Sequence, residues 1–114
     1  MWKVLLLIII TSAFSYSPSV LSANVSLSIC EYVAVDDKRR LRSFLKSNRL
    51  KIRKIFQDLK CNDKNILIFA ASRNSLNTAE MIIGKLPKNV ISDNLIKLSS
   101  YSDEIVTIAK KRIE

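Results

Sequence analysis

Histidine is absent from this chain, glycine occurs once, proline twice and cysteine twice. Each scarcity excludes something. Without histidine, the usual general base, the commonest metal ligand and the side chain that titrates near neutral pH are all missing. A single glycine cannot furnish a glycine-rich loop that cradles phosphate. Two cysteines with no histidine do not complete a four-ligand zinc site, so neither a metal nor another cofactor is expected. Serine hydroxyls are plentiful but have nothing to activate them, and a non-catalytic protein is the expectation. With 114 residues, 48% of them apolar, and so few chain breakers, the sequence predicts one helix-rich domain.

The N-terminus accounts for part of the apolar content. Met1, Trp2 and Lys3 make a short positive start, Val4 to Ile10 is an unbroken aliphatic run, and a serine-rich segment continues to Ala23. This is the order of parts in an export signal. A membrane anchor would need about 20 apolar residues, and Pro18 and the serines interrupt any extension. The expected signal peptide is therefore 1–23, the mature domain 24–114, and the location periplasmic or secreted. Leu27-Ser28-Ile29-Cys30 matches a lipoprotein signal only loosely, because Ile29 is bulky and Cys30 lies far from the apolar run.

In a small exported domain two thiols allow one intramolecular pairing, Cys30 with Cys61, and its expected role is a structural staple. A redox role would call for a closely spaced pair with a low thiol pKa. Between these cysteines lies most of the charge. From Lys38 to Lys60 there are ten basic residues and one acid, Asp58, while the whole chain has 19 basic and 10 acidic side chains for a net +9. Lys38, Arg39, Arg42 and Lys46 precede Arg49, Lys51, Arg53 and Lys54, and these eight form the candidate surface for an anionic partner. Like charges at helical spacing destabilise by about 0.2 to 0.5 kcal/mol per pair, so folding gives no reason to gather them. The competing account is a solvated face that only keeps the protein soluble.

Ser26 to Val35 is a first helix with Ser26 as its cap, and Asp36-Asp37 caps the next one, which begins at Lys38. A second amphipathic segment from Asn48 to Lys60 buries Ile52, Ile55, Phe56 and Leu59. Cys61 to Asn65 is a turn. Ile66 to Ser72 is an apolar helix, Arg73-Asn74-Ser75 turns the chain, and Ala79, Met81, Ile82, Ile83 and Leu86 are the buried side of a helix ended by Gly84 and Pro87. Residues 88–100 are helical or extended. Ser102 followed by Asp103 and Glu104 starts a closing helix over about 102–113, with Lys110, Lys111 and Arg112 at its C-terminal end.

In Ile66 to Asn74 with Ala79 and Ile82-Ile83, the spacing is similar to the helix-turn-helix of an ankyrin repeat, with Asn74 where that repeat has its turn glycine. A weaker copy lies 37 residues earlier, aligning Ala34, Asp37, Phe44 and Leu45 with Ala71, Asn74, Met81 and Ile82. The Thr-Pro-Leu-His opening is missing. Separately, Cys61-Asn62-Asp63 with Phe69-Ala70 resembles the Cys-Asn-Gly and Phe-Ala signature of a family of small exported bacterial proteins of unknown function, over roughly Leu27 to Leu86. Asp63 replaces the glycine. The resemblance implies a fold and a compartment but no activity. The expected architecture is all-α: helical hairpins over about 27–60 and 62–87, stacked in an ankyrin-like or small-bundle arrangement beneath the closing helix.

The function these features favour is a non-catalytic exported binding or adaptor domain whose basic surface meets an acidic protein, an anionic lipid or an envelope polysaccharide. Nucleic acid would also satisfy the charge, but export and the lack of a readable DNA-binding motif or aromatic platform argue against it. The alternatives are a structural or stress-related envelope protein with no specific anionic partner, and a secreted membrane-active factor.

Overall fold

A computed structural model describes residues 21–114, so the expected signal peptide lies outside the described residues apart from Leu21, Ser22 and Ala23. The described chain is mostly α-helical: α1 (Ala23–Ala34), α2 (Lys38–Ser47), α3 (Ile52–Ile55), α4 (Ile66–Ser72), α5 (Leu76–Lys85), α6 (Lys88–Ser99) and α7 (Asp103–Ile113). A two-stranded hairpin, β1 (Lys60–Cys61) and β2 (Lys64–Asn65), separates α3 from α4. One apolar core runs through all of it. Ile29 of α1, Leu41 of α2, Leu67 of α4, Ile82 of α5, Ile91 of α6 and Ile105 of α7 are among its fully buried side chains.

With one glycine available, the chain closes its helices on other residues. Asp36, Arg49 and Asn74 follow α1, α2 and α4 with φ of 56°, 56° and 55°. Each sits in the left-handed position of a Schellman ending. The N–H of the next residue reaches back to the helix: Asp37 to Tyr32 O at 2.8 Å, Leu50 to Leu45 O at 2.8 Å, Ser75 to Ala70 O at 2.9 Å. Asn74 therefore does what its likeness to a turn glycine implied. Its counterpart in the first hairpin is Asp36 rather than Asp37, so the internal spacing is 38 residues instead of 37.

The Arg49 turn also corrects the expected amphipathic helix over Asn48 to Lys60. Only α3 forms there, a single turn, before the chain bends into β1. Ile52, Ile55, Phe56 and Leu59 are buried all the same. Residues Cys61 to Asn65, expected as a turn, form most of the hairpin, with Asn62 (φ 51°) and Asp63 (φ 64°) as its two loop residues. Two successive positive φ values define the hairpin turn that suits twisted strands, and Asn is among the residues that accept it. Asn65 then caps α4 through Oδ1, accepting from Ile68 N at 2.8 Å, and its Nδ2 donates to Asn94 Oδ1 of α6 at 2.9 Å.

The first helix starts earlier than expected, with Ser22 rather than Ser26 as its cap; Ser22 Oγ accepts from Val25 N at 3.1 Å. Asp37 caps α2 through Arg40 N at 3.0 Å. Its neighbour works elsewhere. The Asp36 carboxylate crosses to the start of α5, where Oδ1 accepts from Thr78 N at 2.8 Å and from Thr78 Oγ1 at 3.1 Å, and Oδ2 accepts from Asn77 Nδ2 at 2.9 Å. Ser75, the residue before α5, donates its hydroxyl to Val33 O at 2.6 Å instead of capping its own helix. The two helical hairpins are thus joined end to end by polar contacts at a partly buried corner. Residues 88–99, left open by the sequence, are helical, and α7 packs on both α6 and α5 as a closing helix.

The cysteines are joined: Cys30 in α1 and Cys61 in β1, with Cα atoms 5.7 Å apart, form a disulfide. Neither sulfur is free to ligate a metal or act as a thiol.

Candidate functional site

The exposed face of α2 carries Arg42 and Lys46 one turn apart, as the four-residue spacing predicts. The left-handed turn at Arg49 brings the chain back beside α2, so Lys51 and Arg53 end up around the same hollow. Opposite residues 42–53 comes the end of α5, with Met81, Gly84 and Lys85, and the extended Leu86-Pro87 that follows. Arg112 of α7 reaches in and donates from Nη2 to Leu86 O at 3.3 Å. Together they bound an open groove of about 800 Å³.

Its chemistry is one-sided. Arg42, Lys46, Arg49, Lys51 and Arg53 are joined by Lys85 and Arg112, making seven cations and no acidic side chain in the lining. The apolar part of the lining is the partly exposed Leu50 with the edges of the largely buried Leu45, Ile52, Met81 and Leu86. Among the described residues the one ion pair is Arg40 with Asp37, at 3.4 Å, and neither residue lines the groove. The groove cations are therefore not neutralised by carboxylates of the described chain.

Part of this charge has a local cause. Lys46, Lys85 and Arg112 lie in the last turns of α2, α5 and α7, where cations complement the negative end of the helix dipole by about 0.3 to 1 kcal/mol each. Arg53 lies in the single turn of α3, and Arg42, Arg49 and Lys51 have no such account.

Two residues at the groove also work against the fold. Arg49 holds a positive φ that costs a non-glycine residue about 1 kcal/mol. Gly84, the only glycine, lies within the last turn of α5 rather than beyond it, with no positive φ. A Cβ added there would meet nothing within 4 Å, so no packing requires glycine. The sequence expectation was that Gly84 with Pro87 ends the helix; the helix runs one residue past Gly84, to Lys85, and stops ahead of Pro87, whose ring disfavours helical backbone in the preceding residue. Arg49 at its left-handed turn and Gly84 within α5 both line the same groove.

Of the eight basic residues selected from the sequence, the structure brings Arg42, Lys46, Arg49, Lys51 and Arg53 together at the groove; Lys38, Arg39 and Lys54 do not line it. Lys85, Arg112 and Gly84 were not in that set. A lone glycine inside a helical pattern was the available signal for Gly84, and nothing in the order of residues connects Arg112 to a turn more than sixty positions earlier.

Fold and site together define a small, disulfide-stapled, mostly all-α domain with a cationic groove and no thiol free for chemistry. Residues 29–93 match a family described as protein of unknown function (DUF3718), and since the match covers more than half of the chain, the chain belongs to that family. No curated protein and no solved structure, ankyrin repeats included, matches it. The matched stretch holds the disulfide, the Asp36 corner and every groove residue except Arg112.

Proposed function

We propose that this protein is a non-catalytic exported binding module whose groove takes an anionic partner. The observation that carries the reading is the convergence of seven cations from α2, the α2–α3 turn, α3, α5 and α7 on one apolar-floored hollow with no carboxylate in its lining. Charge kept only for solubility has no reason to collect around one concavity, where the side chains repel one another. Export is supported by the disulfide, a bond that persists in oxidising compartments, and by the signal-like residues 1–23.

Heparin serves as a general anionic probe. The protein is expected to be retained on a heparin column and released by moderate salt, as screening predicts. Arg49→Gly should weaken retention while raising stability by about 1 kcal/mol in urea unfolding, since glycine relaxes the left-handed angle. Replacing Lys38, Arg39 and Lys54 together by glutamine is expected to weaken it much less. Absence of retention, or loss that follows Lys38, Arg39 and Lys54 rather than the groove, would remove the proposal.

A further inference from the structure

We infer that the groove's partner is an acidic peptide segment of another protein, one whose carboxylates are interspersed with apolar side chains. This rests on the anion-binding reading and narrows it.

Three observations select that chemistry. The lining has seven cations from two separate stretches of chain and from α7, so a ligand with a single charged head would leave most of them unneutralised. A chain with carboxylates at intervals meets them all. Arg42, Arg49, Arg53 and Arg112 are four of the seven, and the planar guanidinium is suited to paired hydrogen bonds with carboxylates.

Between the charges lie Leu50, partly exposed, and the small exposed edges of Leu45 and Met81, while Ile52 and Leu86 are buried. Sugar hydroxyls laid on that strip would give up water without gaining partners, whereas a Leu or Val side chain set against Leu50 would gain by burial.

The third observation is shape. The cations surround a recess, and a flat bilayer surface pressed against its rim would not reach the floor. A peptide can enter it. At Gly84 the helix shows bare backbone, with open space where a side chain would be, which lets another main chain come close.

The test uses the oxidised full chain and a fluorescein-labelled peptide in which Glu alternates with Leu, followed by anisotropy. A Glu/Ser peptide of the same length and charge, a Lys/Leu peptide, heparin and phosphatidylglycerol vesicles complete the set. The Glu/Leu peptide is expected to bind about tenfold more tightly than the Glu/Ser peptide, with no binding of Lys/Leu and an affinity that falls as salt rises. Gly84→Leu adds a side chain at a position that lines the groove, with nothing within 4 Å of its Cβ, and it should lower that affinity about tenfold with an unchanged or higher thermal midpoint. Should that variant fail to fold, Lys85→Glu, at an exposed position, gives the same readout through charge.

Equal binding of Glu/Leu and Glu/Ser, indifference to both variants, or binding of vesicles with the peptide ignored overturns this inference and leaves the broader anion reading intact. Failure of every anionic probe takes both down.

Discussion

Asp36 holds a left-handed backbone angle and from it sends both carboxylate oxygens to the first turn of α5. Those two roles separate by substitution. Asp36→Ala loses the cap and strains the turn, so about 2 to 3 kcal/mol of stability should disappear. Asp36→Gly loses only the cap, and a cost of about 1 to 2 kcal/mol is expected. Asp36→Asn keeps the angle and one acceptor and should cost least. Urea unfolding of the three variants gives the order, and an Ala variant no worse than Gly would mean that the backbone angle carries no weight. Reading the sequence, both aspartates look like caps for the helix that follows, and Asp37 is one. The destination of Asp36 was not legible, because its partners lie 41 and 42 positions away and capping chemistry is recognised only over a few residues.

Among the elements, α4, α5 and α7 were legible from their apolar periodicity, with Pro87 marking the end of α5 and the Ser102 cap the start of α7. The stretch after α2 was not. Ile52, Ile55, Phe56 and Leu59 keep helical spacing and are buried, yet the chain there is one helical turn, a bend and a strand. Periodicity records which side chains face inward and is blind to a left-handed turn made by an arginine, a residue that does not advertise one. The β1–β2 hairpin hides in a similar way, since two-residue strands have no alternation to read. Its loop is open to improvement. Asp63 at φ 64° occupies a position that glycine fills with less strain, and Asp63→Gly should add about 0.5 to 1 kcal/mol, visible as a rise of several degrees in the thermal midpoint. A fall would mean that the Asp63 side chain holds the turn by contacts of its own.

Taken whole, the molecule is held by one core and one covalent bridge. Cys30 and Cys61 are 31 positions apart, and a loop of that length restricts the unfolded chain enough to account for about 3 to 4 kcal/mol. Replacing both cysteines by serine, or reducing the bridge, should lower unfolding stability by that amount, measured by denaturant titration with and without reductant; an unchanged midpoint would assign the bridge no stabilising role. The charge excess between the cysteines located five of the seven groove cations, because consecutive residues on short helices stay neighbours in space. It could not supply Lys85 and Arg112, which come to the groove through the packing of α5 and α7.

The bridge and the groove are also related in a way that neither shows alone. Positions 42–53, one jaw of the groove, fall entirely within the loop that the sulfurs close, and positions 81–87 with Arg112, the other jaw, fall entirely outside it. The covalent restraint on the unfolded chain therefore spans only the stretch that carries one jaw, and the other jaw is brought to it by the packing of α5 and α7 alone.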